Sequence, residues 1–201
     1  MIPRHIHQAL TQVRELRSRV IASSRFTGYS GIARISGGGL ALCASLLLTA
    51  GGNPSAVWVH VATWGAVCCL SVAINYGALL RWGLQGADLS KAGEKLSPAA
   101  DLLPSLFVGG LLTGAFLLHG THDLLFGMWM CVFGVTNLVS RRILPDGIAL
   151  VGVYYIVAGT VCLLHPNASF TNPWPMGLVF FIGEVSGGAI LHRNRDRKEP
   201  I

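Results

Sequence analysis

Glu184 is an acidic side chain placed well inside an apolar segment, residues 174–192. It precedes Arg193 by nine residues, about 13 Å along a helix. Ionisable groups are costly inside a membrane, so this position predicts proton or cation handling, or binding of a cationic or hydrogen-bonding solute. The alternative is a hydrogen bond that only joins helices. Asn75 and Asn137 are the expected partners of Glu184, because each lies a few residues before the basic end of another apolar segment.

A second polar group combines histidines with one carboxylate near the ends of apolar segments: His60, His119, His122, Asp123 and His165. Neutral imidazole and carboxylate are good ligands for zinc and other divalent ions, so one hypothesis is a metal or haem site. Surface and helix-capping roles are the other hypothesis, because the run HGTHD is not the HExxH motif of zinc enzymes. We therefore expect no cofactor by default.

Familiar enzyme motifs are missing from the chain. The sequence has no GxxxxGK[ST] phosphate loop, no GxSxG with a recognisable triad, no HExxH and no dinucleotide fingerprint. Its five cysteines form no CxxC pair and no disulfide-like ladder of spacings. We therefore predict a non-enzymatic protein and assign no catalytic residue.

The elements that carry these residues are apolar and long. Hydrophobic residues make up 52% of the 201, and charged residues only 12%. A bilayer core of ~30 Å needs about 20 apolar residues in a helix, with a lower limit near 17. The sequence predicts an all-α membrane protein, a bundle of six transmembrane helices in three hairpins, with spans at 35–51, 56–80, 103–119, 124–140, 147–164 and 174–192.

The basic residues give this bundle an orientation. All 15 Lys and Arg residues lie before the first span, in the second and fourth connections, or after the sixth span. Because positively charged short loops stay in the cytoplasm, this asymmetry predicts that both termini are cytoplasmic. The basic residues sit at segment ends without interleaved exposed aromatics, so nucleic acid is not expected as a partner.

The segment before the first span has its own pattern. In residues 3–25, apolar positions spaced by three or four alternate with Arg14, Arg17 and Arg19, which predicts an amphipathic helix. Such a helix lies on anionic lipid or docks on a partner. The predicted division is a cytoplasmic helix and linker at 1–33, the membrane domain at 34–192, and a basic tail at 193–201.

Two pairs of glycines show the GxxxG spacing that lets membrane helices approach closely: Gly110 with Gly114, and Gly183 with Gly187. Packing within one bundle is the first interpretation. An interface with a second copy or with another membrane protein is the second.

Two stretches also carry a resemblance. The run FTGYSG at 26–31 and the block LFGMWMCVFGVTNLVSRRILPDGIALVGVYYIVAGTVCLL at 125–164 resemble a family of small uncharacterised six-span proteins of acidobacteria and similar bacteria. The resemblance implies a bacterial inner-membrane location and one continuous domain, and it implies no activity. The size and span count alone are similar to acid-resistance membrane proteins of the HdeD type, which is a likeness of architecture.

Three functions follow as hypotheses. The leading one is a membrane-embedded accessory, sensor or assembly subunit. The second is a transporter or channel for a proton or small solute, centred on Glu184 with Asn75 and Asn137. The third is a metal- or haem-dependent membrane enzyme built on the histidine group.

Overall fold

The computed structural model describes residues 29–84, 103–142, 144–145 and 147–196. These residues form helices and turns, with no β-strand among them. The helices are α1 (Gly31–Ala50), α2 (Val57–Leu84), α3 (Leu103–Leu118), α4 (Leu125–Val139), α5 (Gly147–Leu164) and α6 (Trp174–Asp196). The predicted amphipathic helix, with Arg14, Arg17 and Arg19, lies outside the described residues.

The apolar helices match the composition of a membrane protein. In the described part of the chain, five helices are long and apolar enough to cross a membrane, and α3 is apolar but only 16 residues long. The predicted bounds agree closely with the observed helix ends. The largest differences are that α1 begins at Gly31, that α2 continues to Leu84 and that α6 continues to Asp196.

Helices α1 and α6 run antiparallel and form one of the two most closely packed helix pairs in the bundle. A Cβ atom placed on Gly38 would lie 2.9 Å from Cβ of Glu184, and Gly177 lies against the Ser45 side chain. The Ser45 hydroxyl donates to the Pro173 carbonyl at 2.9 Å, just before α6 begins. Such close backbone approach needs small residues, because helices in lipid gain little from hydrophobic contact with one another.

Helices α4 and α5 form the second pairing, also antiparallel. A Cβ atom on Gly134 would lie 2.8 Å from the Gly152 carbonyl oxygen, and one on Gly127 would lie 2.8 Å from the Gly159 carbonyl oxygen. The glycines of each helix are seven residues apart, so both fall on the same helix face. These two contacts bring the backbones together without side chains between them.

Helices α2 and α3 attach more loosely at the periphery. Helix α3 has no buried residue, and its polar link to α4 is a 2.8 Å hydrogen bond from Trp129 Nε1 to Thr113 Oγ1. Helix α2 packs on α1, where Gly37 faces Ser71. The bundle therefore has a tight four-helix core and two outer helices.

The two ends of the core differ in composition. At the end where α4 and α6 begin, called the Asp123 end, aromatic rings pack together, with 4.7 Å between the centroids of Phe126 and Phe170. At the opposite end, called the Arg34 end, a smaller cluster joins Leu144, Ile148 and Leu191. A buried polar site, which contains Arg34 and Glu184, lies between these two clusters and nearer to the Arg34 end.

Candidate functional site

Arg34 lies in the first turn of α1 and is buried, with 9% of its surface exposed. The helix begins early enough to include it because the Ser30 hydroxyl caps the first turn, accepting from Ala33 N at 3.3 Å. Gly187 on α6 leaves room for the guanidinium, since a Cβ atom there would lie 2.6 Å from Arg34 Nε. The sequence analysis places Arg34 just before the first apolar segment, whereas the observed helix α1 begins at Gly31 and includes Arg34.

Glu184 on α6 is the counter-ion of Arg34 and is 7% exposed. Its Oε1 accepts from Arg34 Nε at 3.2 Å and from Arg34 Nη2 at 3.0 Å. The Tyr155 hydroxyl on α5 donates to the same oxygen at 3.0 Å. Gly183 lies against the Tyr155 ring, so the absence of a side chain there allows α5 to approach the carboxylate.

Asn137 on α4 completes this buried network. Its Oδ1 accepts from Arg34 Nη2 at 2.7 Å, while its Nδ2 donates to the Phe133 carbonyl one turn earlier at 2.8 Å. Because Nδ2 donates to the Phe133 carbonyl, Oδ1 is the amide atom that faces the guanidinium. The Phe133 ring also lies beneath Arg34, with 5.9 Å between Cζ and the ring centroid, within the range of a cation–π contact.

The network joins four helices through one pair of opposite charges. Arg34 from α1, Asn137 from α4, Tyr155 from α5 and Glu184 from α6 meet where little water reaches them. A buried pair offsets its desolvation only when further hydrogen bonds satisfy it, and removing one partner costs about 3–5 kcal/mol. The arrangement is therefore suited to fixing the relative positions of the helices.

No family model, curated protein or solved structure matches this chain.

The sequence identified part of this network. The structure brings Glu184 and Asn137 together in one network, in which Arg34 connects them. Asn75 is not in the network, because its Nδ2 donates to the Ser71 carbonyl of its own helix at 2.9 Å. Arg34 and Tyr155 were missed, although the cost of an unpaired Glu184 in a membrane was a signal that a cation should lie nearby.

The histidine group is dispersed rather than assembled. His60 is fully buried and its Nε2 bonds to the Pro54 carbonyl oxygen at 2.9 Å, whereas His119 and His165 are exposed. His122 Nε2 lies 4.0 Å from Asp123 Oδ1. Within the described ranges no three His, Cys, Asp or Glu side chains come close enough together to hold a metal ion.

The two predicted glycine pairs have different surroundings. Gly183 and Gly187 lie within the bundle, against Tyr155 and Arg34. A Cβ atom on Gly110 or Gly114 would meet no described atom within 4 Å. One pair thus makes room for the buried network, and the other lies on an open face of α3.

Proposed function

We propose that this protein is a non-enzymatic subunit that assembles with a partner in the membrane through α3. In this proposal the buried network and the two glycine pairings make a rigid core, and α3 is the element presented to the partner. The observation that carries the proposal is that α3 buries no residue and has a bare glycine pair on its exposed face.

The exposed face of α3 has the composition of a helix contact. Gly110 and Gly114 lie on the same side as Leu103, Phe107 and Leu118, whose exposed fractions are 54%, 68% and 88%. The opposite side, with Leu112 and Phe116, contacts the core. A shallow glycine surface flanked by large apolar side chains permits close approach of another helix, as the α4–α5 pairing illustrates within this chain.

The membrane setting of this proposal follows from the charges. We propose a bacterial inner membrane, six spans in three hairpins, and cytoplasmic termini. The reason is that all 15 basic residues lie in the two terminal segments or in the second and fourth connections, which face the same side. The third of these spans is α3, whose 16 residues measure about 24 Å at 1.5 Å per residue. Reporter fusions after Gly52, Leu118 and Pro166 test the orientation. Cytoplasmic signals at these sites would contradict it.

The segment with Arg14, Arg17 and Arg19 fits the same role. We propose that it lies on anionic lipid beside the bundle, or docks on the partner's cytoplasmic face. A flotation assay with vesicles that contain or lack phosphatidylglycerol separates these two uses, because only lipid binding depends on the anionic headgroup.

Bulk added to the glycine face tests the central proposal. The protein is extracted from its own membrane into nanodiscs, and its mass is measured by light scattering for the native chain and for Gly110→Ile/Gly114→Ile. We expect the native chain to carry a second copy or another membrane protein and the double variant to lose it. Ala189→Ile, an exposed small-to-large change on α6, is the matched control and should retain the partner. A native chain that is already monomeric and alone would refute the proposal.

A transporter of protons or a small solute is the second candidate function. Ionisable groups buried within a membrane often mark ion pathways, and this chain buries Arg34, Glu184 and Tyr155 together. The assay is flux into proteoliposomes for the native chain and for Glu184→Gln. Flux that disappears in a folded Glu184→Gln protein would favour this candidate over the assembly role.

A further inference from the structure

A cavity of about 480 Å³ lies at the Asp123 end of the bundle. It is formed by the first turns of α4 and α6, the last turns of α5, and the loop that joins α5 to α6. The volume lies within the ~300–1,000 Å³ range of pockets for small ligands. None of the residues of the Arg34–Glu184 network lines it, so it is a separate feature of the molecule.

The lining of this cavity is divided into an apolar wall and a polar rim. Ala158, Val161 and Val179 are among the residues of the wall. The rim includes Asp123 and His165, with asparagine and serine side chains from the connecting loop. A cavity with one apolar and one polar part is matched by a ligand that has the same two parts.

Asp123 gives the rim its charge. Its Oδ1 accepts from Phe170 N at 2.9 Å, which fixes the α5–α6 loop over the cavity. That bond leaves Oδ2 available on a carboxylate whose side chain is 52% exposed. In the part of the chain that the structure describes, no lysine or arginine lines the cavity, and His122 lies 4.0 Å from Oδ1. The rim therefore complements a cation rather than an anion.

We propose that this cavity binds an amphiphile with a primary ammonium head and an apolar tail. The ammonium donates to Asp123 Oδ2 and to neutral acceptors of the rim, and the tail lies against Ala158, Val161 and Val179. The same chemistry is presented by a free alkylamine and by the headgroup of an aminophospholipid. This inference does not rest on the assembly role of α3.

Cys162 provides a reporter inside the cavity, because its side chain is one of those that line it. In a variant with the other four cysteines replaced by alanine, the rate at which a methanethiosulfonate reagent modifies Cys162 measures access. The protein is placed in nanodiscs of phosphatidylcholine and phosphatidylglycerol, which lack a primary amine. n-Octylammonium, n-octyl sulfate and n-octanol are then added at equal concentrations.

We expect n-octylammonium to slow modification of Cys162 and the other two probes to have much weaker effects. Asp123→Asn keeps an acceptor at Oδ1 for Phe170 N and removes the charge, so it should weaken protection by n-octylammonium about tenfold or more. Ala158→Trp, which fills the cavity from α5, should abolish protection. A matched protein without the native cysteines and with Ser55→Cys, exposed in the loop between α1 and α2, should show no protection by any probe.

The lipid arm of the experiment uses nanodiscs that contain phosphatidylethanolamine and no added amine. Slow modification that Asp123→Asn relieves would support the proposal with the lipid as the source of the ligand. Protection by n-octylammonium alone would support it with a free amine as the source. Equal protection by all three probes, or no effect of Asp123→Asn, or no protection in either arm, would overturn it.

Discussion

The Arg34–Glu184 ion pair can be tested by a double-mutant cycle on stability. Glu184→Gln keeps the shape of the side chain but leaves Arg34 as a buried cation without its counter-ion. Arg34→Met leaves the carboxylate unpaired in the same way. Removing one partner of a buried pair costs about 3–5 kcal/mol, so we expect each single variant to lose that much free energy of unfolding.

The double variant Arg34→Met/Glu184→Gln should be more stable than either single variant. It buries no charge, and the amide oxygen of the introduced glutamine remains an acceptor for the Tyr155 hydroxyl, which donates to Glu184 at 3.0 Å in the native chain. Exchanging a buried pair for neutral groups of similar volume is often close to neutral in stability. We therefore expect a coupling energy of about 3 kcal/mol or more between the two positions.

The assay is reversible unfolding in mixed micelles of dodecyl maltoside and increasing sodium dodecyl sulfate, followed by circular dichroism. Arg193→Met, which removes an exposed arginine at the end of α6, is the control and should change stability by less than about 0.5 kcal/mol. Single variants whose costs simply add in the double variant, or which cost no more than the control, would refute the account of the network.

Two further comparisons use the same unfolding assay. Asn137→Ala removes the acceptor 2.7 Å from Arg34 Nη2 and should cost about 1–3 kcal/mol of the free energy of unfolding. Asn75→Ala loses only a hydrogen bond within its own helix and should cost less than half as much. Gly134→Leu places a side chain where a Cβ atom would already lie 2.8 Å from the Gly152 carbonyl oxygen, so it should cost about 1–3 kcal/mol or more of the free energy of unfolding. Its control is Gly77→Leu, which should be close to neutral because a Cβ atom on Gly77 would meet no described atom within 4 Å. Equal losses within either pair of variants would contradict the contacts described.

The helices could be predicted from the sequence because their signal is local. Each apolar run is bounded by glycine, proline or charged residues, and these fix the helix ends to within a few residues. Arg34 was misplaced because a charged residue next to an apolar run is ordinarily taken as its boundary. In this case the Ser30 cap starts the helix before Arg34, and Glu184 neutralises the buried guanidinium.

Partners across helices were harder to predict, since sequence gives the depth of a residue better than its direction around the helix axis. Asn75 and Asn137 were both assigned to the same depth as Glu184, yet only Asn137 faces the centre of the bundle. The glycines spaced by seven on α4 and α5 lack the shorter GxxxG spacing by which close approach of membrane helices is predicted from sequence. Which helices become neighbours depends on packing between distant segments, and no local pattern carries that information.

The most direct test of the assembly role is a photo-crosslink from the exposed face of α3. Benzoyl-phenylalanine is placed at Phe107, whose side chain is 68% exposed, and the cells are irradiated before the membrane is dissolved. The same group at Leu150 on α5, which is 74% exposed, is the matched control. We predict a discrete protein adduct from position 107, either a second copy or one other membrane protein, and none from position 150. Crosslinks to lipid alone from both positions would contradict the proposed function.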